Sequence, residues 1–201
     1  MKKEFEVVEK RVLYDGFFKL EGYRLKHTLF EGGWSRELYR ELLERGHAAA
    51  VLLYDPKLDS VVLIEQFRIG ALNAPNGPWL MEVVAGMVEP GEPVEELVKR
   101  EAEEEAGCKV EELETICDYF VSPGGASEII SLFCGRVDAS GAGGVYGLEH
   151  EGEDICALVV DFDEAMEWLK QGKIDSASPI IAMQWLALNR EALRERWLRD
   201  R

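Results

Sequence analysis

The chain has 201 residues, 47% hydrophobic and 31% charged, which suits one globular domain with a full core and room for a small appendage. A formal net charge of −16 argues against a nucleic-acid backbone or an anionic membrane as the main partner, and any phosphate substrate must meet local cations. No stretch approaches the ~18 apolar residues of a membrane span, and no apolar run follows the lysines of MKKEFEVVEKRVLYDG, so neither a span nor an export signal is expected. Cys108, Cys117, Cys134 and Cys156 stand singly in apolar contexts without CxxC pairing, which predicts free thiols in a reducing cytoplasm rather than disulfides or a zinc site.

Residues 4–14 and 20–30 alternate as strands about a turn at Asp15-Gly16. After Gly32-Gly33, RELYRELLERG reads either as a strand or as a short helix. HAAAVLLYD and SVVLIEQFRIG form strands joined by a turn over residues 55–59, and PWLMEVVAGMV is a further strand leading into a helix over 93–106. Strands follow around 113–121 and 128–137, parted by Ser122-Pro123-Gly124-Gly125, and the Gly-rich stretch 138–147 is expected to be a mobile loop. CALVVDF is a strand, DEAMEWLKQG a helix closed by Gly172, and SPIIAMQWLALNREALRERW a long final helix. Without regular βαβ alternation, the fold class is α/β of the α+β type: a mixed sheet between helices, with an N-terminal antiparallel strand arm.

The segment GMVEPGEPVEELVKREAEEEAGC, residues 86–108, carries the chemistry. Pro93 suits the first helical position and Gly107 a C-terminal cap. At ~100° per residue, Val94, Leu97 and Val98 define a buried arc. Glu101 and Glu105 fall inside that arc and Glu104 at its edge. A solvated acidic helix would instead spread its charge over the outer face. Carboxylates ~5–6 Å apart repel by roughly 0.7 kcal/mol per pair in water and several-fold more where water is scarce. A hard divalent cation, Mg2+ or Mn2+, is the natural compensator.

Gly86, Glu92, Arg100, Glu101, Glu104, Glu105 and Gly107 stand at the spacing of the Nudix box, GX5EX7REUXEEXGU, with Ala102 and Cys108 at the aliphatic places. The chain resembles the Nudix superfamily, and within it the bacterial ADP-ribose pyrophosphatases, from about residue 12 to 197. The segments LFEGGWSRE, VVLIEQFRIG, SPGGASE and GLEHEGEDI carry that resemblance beyond the box, as does Pro123, 15 residues past Cys108. The resemblance implies a Nudix fold and metal-dependent hydrolysis of ADP-ribose to AMP and ribose 5-phosphate, with two or three Mg2+ (or Mn2+) ions per site. Glu101, Glu105, Glu104, Glu153 and the carbonyl of Ala85 would be metal ligands, and Glu151 the catalytic base. Arg100 would reach back to Glu92 and stiffen the loop before the helix.

For the nucleotide-sugar substrate, the resemblance points to Phe17 and Phe18 stacking on adenine, to Arg40, Glu41, Arg45 and Arg68 at phosphate or ribose, and to Met87, Ser122, Gly124 and Glu128 at the ribose end. It also implies a cytoplasmic homodimer that exchanges a 1–45 strand arm, beside a 46–201 hydrolase domain. Plainer roles compete: Phe17 and Phe18 suit an interface core equally well, Arg40 and Arg45 suit surface salt bridges, and Glu151 and Glu153 suit an acidic surface loop. The box handles the pyrophosphate alone, so other nucleoside diphosphate sugars such as ADP-glucose or GDP-mannose stand as alternative substrates. A non-catalytic ADP-ribose sensor is disfavoured, because every box glutamate is present and no basic domain is attached.

Overall fold

The structure, a computed structural model, describes residues 2–148, 150 and 152–199. It contains two compact units, Met1–His47 with Phe120–Ile129 and Ala48–Tyr119 with Ile130–Arg201.

In the first unit β1 (Phe5–Asp15), β2 (Lys19–His27) and β3 (Leu38–Glu44) form an antiparallel sheet in that order. β1 is bulged between Val7 and Glu9 and between Val12 and Tyr14, and every one of its residues is exposed. RELYRELLERG resolves as strand. β3 pairs along its length with β2, Leu25 opposite Leu38 and Leu20 opposite Leu43, which satisfies a β2 edge that a helix would have left open. Past Thr28 the expected second strand gives way to a turn, closed by Leu29 N–H donating to Gly33 C=O at 3.0 Å, with Gly32 and Gly33 at φ 95° and 77°.

The second unit is built on β4 (Ala48–Asp55) and β5 (Ser60–Phe67), in a mixed sheet with β8 (Glu112–Phe120), β9 (Ile129–Arg136), β10 (Gly144–Tyr146) and β11 (Ile155–Asp161). The order is β10-β11-β5-β4-β9-β8; the β10–β11, β11–β5 and β5–β4 pairs are antiparallel and the β4–β9 pair is parallel. β4 is buried on both faces. Ala50, Leu52 and Tyr54 meet α2 (Phe162–Lys170) and α3 (Ala177–Arg199), while Ala49, Val51 and Leu53 meet α1 (Val94–Ala106). No described helix is long and apolar enough to cross a membrane.

PWLMEVVAGMV is two strands rather than one. β4 and β5 pair only next to their turn and then diverge; β6 (Trp79–Glu82) follows β5, and β7 (Val84–Met87) follows β4. The chain changes partner at Val83, so β6 and β7 take the places beside β5 and β4 where those two strands have parted. The stretch 138–147 is not wholly loop either. Positive φ at Gly143 and Gly144 turns the chain into β10, which pairs with β11.

Candidate active site

α1 begins one residue later than expected. Pro93 is its N-cap with extended ψ of 134°, and Val94 is the first helical residue. Gly107 ends it at φ 62°: its N–H donates to Glu103 C=O and that of Cys108 to Ala102 C=O, the paired bonds of a left-handed glycine cap. Leu97, Val98, Ala102 and Ala106 are fully buried against the sheet, and each larger side chain contributes about 1.5–3 kcal/mol. That packing fixes the rotation of the helix and draws Glu105, 3% exposed, into the core with it. The Glu101 side chain is 15% exposed and that of Glu104 31%, the order the helical wheel gives.

Position 86 is tight: a Cβ there would lie 2.3 Å from Glu101 Oε1 and 2.7 Å from its Cγ, so a larger residue would push the Glu101 side chain aside. Beside it, Ala85 N–H donates to Glu105 Oε2 at 3.1 Å. Arg100 spans three carboxylates, with Nε 3.3 Å from Glu92 Oε1 and Nη1 3.0 Å from Glu101 Oε1 and 2.8 Å from Glu104 Oε2. It thereby ties the loop before α1 to the helix. Glu153 lies on the stretch before β11, where its Oε2 accepts from Leu148 N–H at 3.1 Å.

Burial pushes Glu101 up to about 7; the Arg100 guanidinium pulls it down, and Glu104 and Glu153 push it further up. Burial likewise pushes Glu105 up to about 8, against the Ala85 N–H, while Glu101 and Glu153 add to the rise and Arg68 opposes it. Glu101, Glu105 and Glu153 therefore lie close enough to feel one another's charge. Among the described residues no three acidic, His or Cys side chains already converge at ligand geometry; Arg100 occupies Glu101 and Glu104, and the Ala85 N–H occupies Glu105. The donor set is nonetheless all oxygen, sheltered to differing degrees and mutually repulsive, which fits a hard divalent cation. Glu151 lies outside the described residues.

The remaining predicted residues divide between the units. In the second, Arg68 follows β5, and its Nε donates to Glu82 Oε2 at 2.7 Å; Met87 ends β7 and is exposed. In the first, Phe17 is 87% exposed at the β1–β2 turn, its ring 4.9 Å from that of Phe18 in a T-shaped pair. The Arg45 guanidinium lies 5.2 Å above the Phe18 ring and its Nε 3.4 Å from buried Glu128 Oε1, so these three residues form one cluster. Arg40 and Glu41 are exposed on β3, where Arg40 Nη1 donates to Tyr39 C=O. Ser122 C=O accepts from Gly125 and Ala126 N–H in the turn that holds Gly124, and that turn is fastened to β3 by Leu43 N–H to Gly125 C=O at 2.8 Å. Sequence reasoning missed Glu82. Its signal was a lone charge at the end of the apolar run WLM, on the strand face that Leu80 shares.

A mixed sheet carrying this loop–helix with its clustered glutamates presents an acidic site suited to a divalent cation. The NUDIX domain family matches residues 44–183, and the chain belongs to that family. It is 48% identical over 196 residues to the ADP-ribose pyrophosphatase of Escherichia coli strain K12, covering 98% of this chain and 94% of that one. It is 36% identical over 193 residues to the GDP-mannose pyrophosphatase of Cronobacter sakazakii, covering 94% and 97%. A solved structure described as an ADP compounds hydrolase superposes with a TM-score of 0.70 over 96% of both chains at 18% identity, a likeness of fold.

Proposed function

We propose that this chain is an ADP-ribose pyrophosphatase that hydrolyses ADP-ribose to AMP and ribose 5-phosphate. The observation that carries the reading is the carboxylate set of α1, Glu105 buried and Glu101 and Glu104 partly so, in a chain nearly half identical over its length to an ADP-ribose pyrophosphatase. Glu101, Glu105, Glu104, Glu153 and the Ala85 carbonyl would hold two or three Mg2+ or Mn2+ ions. Such ions supply a Lewis acid that offsets phosphate charge and makes water acidic near neutral pH. Gly86 admits the Glu101 carboxylate, Arg100 keeps the loop and helix in one arrangement, and Glu151 takes the proton of the attacking water. Arg68 presents its guanidinium to the pyrophosphate, a bidentate partner for phosphate oxygens. Met87 lines the ribose end.

Phe17 and Phe18 stack on the base, Arg40, Glu41 and Arg45 bind phosphate or ribose, and Ser122, Gly124 and Glu128 meet the ribose end. The protein works in the cytoplasm as a homodimer with exchanged 1–45 arms, and β1, exposed along its whole length, supports that reading. The GDP-mannose pyrophosphatase relative favours a second reading, the same chemistry on another nucleoside diphosphate sugar. A hydrolysis panel separates them: ADP-ribose, ADP-glucose, GDP-mannose, NADH and a nucleoside triphosphate with Mg2+ or with EDTA, product nucleotide and sugar phosphate being quantified. The expected result is Mg2+-dependent release of AMP chiefly from ADP-ribose. Faster turnover of GDP-mannose would move the substrate, and binding of ADP-ribose without cleavage would overturn the enzyme.

A further inference from the structure

Arg68 has one ion-pair partner among the described residues, and that partner is the carboxylate sequence reasoning overlooked. β6 and β5 pair antiparallel with Glu82 opposite Ile64, so Glu82 lies on the sheet face that Ile64 shares with Val84, Leu97 and Val98 of the α1 core. Its side chain is 17% exposed, whereas that of Arg68 is 45% exposed. The anchored end of the pair is thus the sheltered end. Glu82 takes Nε, the inner nitrogen of the guanidinium, at 2.7 Å. The outer nitrogens Nη1 and Nη2, the edge that grips two phosphate oxygens, carry no hydrogen bond to described residues. Backbone geometry holds the same residue from the other side, Arg68 N–H donating to Pro78 C=O at 2.7 Å.

Resting on the reading of Arg68 as a pyrophosphate ligand, we propose that Glu82 is a positioning residue for substrate binding, which fixes the plane and direction of the Arg68 guanidinium through Nε. A long arginine side chain samples many rotamers when free, and ordering it on binding weakens affinity; a sheltered carboxylate that orders it beforehand removes that loss. The role differs from that of the α1 glutamates, because Glu82 acts through a cation and donates nothing to a metal.

The test is steady-state kinetics of ADP-ribose hydrolysis by the wild type, Glu82→Ala, Glu82→Gln, Arg68→Ala and the double variant Glu82→Ala/Arg68→Ala, each at several Mg2+ concentrations. Glu82→Ala should raise KM roughly 10-fold with little loss of kcat, and Glu82→Gln, which keeps an acceptor, should raise it less. The double variant should resemble Arg68→Ala alone, since the carboxylate has nothing left to position. Mg2+ dependence should be unchanged. Additive KM effects, an unchanged KM in Glu82→Ala, or a raised Mg2+ requirement at constant KM would each overturn the proposal, the last making Glu82 a metal ligand instead. If Glu82→Ala does not fold, the Glu82→Gln series with and without Arg68→Ala distinguishes the same outcomes. A wild type that leaves ADP-ribose intact would defeat the functional reading, and the cycle on whichever nucleotide sugar is cleaved would still judge Glu82.

Discussion

The second unit holds sheltered carboxylates on opposite faces of one sheet, and they are built in opposite ways. On the α3 face Asp59, at the turn between β4 and β5, accepts from Tyr54 Oη at 2.7 Å and from Arg190 Nε at 2.7 Å, and pairs with Arg194 Nη1 at 3.0 Å. Burial alone would raise its pKa, but Arg190, Tyr54 and Arg194 together hold it below the usual carboxylate value. It even sits at φ 55°, a left-handed backbone that aspartate tolerates better than most residues. On the α1 face Glu101 and Glu105 are sheltered among other carboxylates and pushed up to about 7 and about 8. Asp59 has its cations built in, and its charge is met within the fold. Glu101 and Glu105 stay raised even with Arg100 beside Glu101, which fits the divalent cation that the proposed function assigns to them.

Substitutions sharpen that contrast, beginning with the largest effect. Glu105→Gln should lower kcat/KM for ADP-ribose by on the order of 10^3-fold, through loss of an anionic oxygen donor, measured at saturating Mg2+. Asp59→Ala should leave turnover near wild type below its melting temperature. It should cost roughly 3 kcal/mol of stability in denaturant melts, because two guanidinium groups lose their shared partner.

Smaller, but of opposite sign, are the pH dependences of the metal-free protein. The pKa of Glu105 is raised on folding, so its contribution is complete below about 4.5 and is lost as pH rises through about 8. The pKa of Asp59 is lowered, so its contribution is present above the ordinary 3.8 and is lost as pH falls through its folded value. Thermal melts across pH should therefore show Glu105→Gln gaining roughly 3–6 °C over wild type at pH 8.5, whereas Asp59→Ala loses its deficit progressively in acid.

The functional face was more legible in the sequence than the structural one. Glutamates on an apolar arc can be read from a helical wheel, because α1 is one unbroken helix and its caps, Pro93 and Gly107, mark its ends. Asp59 could not be read that way. Its partners Arg190 and Arg194 lie more than a hundred residues away on α3, and only the packing of that helix brings them together. The break at Val83 was hidden for a related reason: period-two alternation reports which face a residue takes and is silent about which strand lies beside it. Glu82 was lost with it, since its meaning depends on β6 following β5 while β7 follows β4. The short strand β10 was masked by glycines that in isolation signal only a loop.

The central claim, that the α1 carboxylates await a divalent cation, is tested most directly by counting protons. Mg2+ is titrated into metal-free protein in weak buffer at pH 7.5, and proton release is followed alongside binding, for wild type and Glu105→Gln. Wild type should release on the order of one proton per chain as the cation displaces protons from Glu101 and Glu105, and Glu105→Gln markedly fewer. Mg2+ binding with no proton release, or the same release from both proteins, would contradict the account.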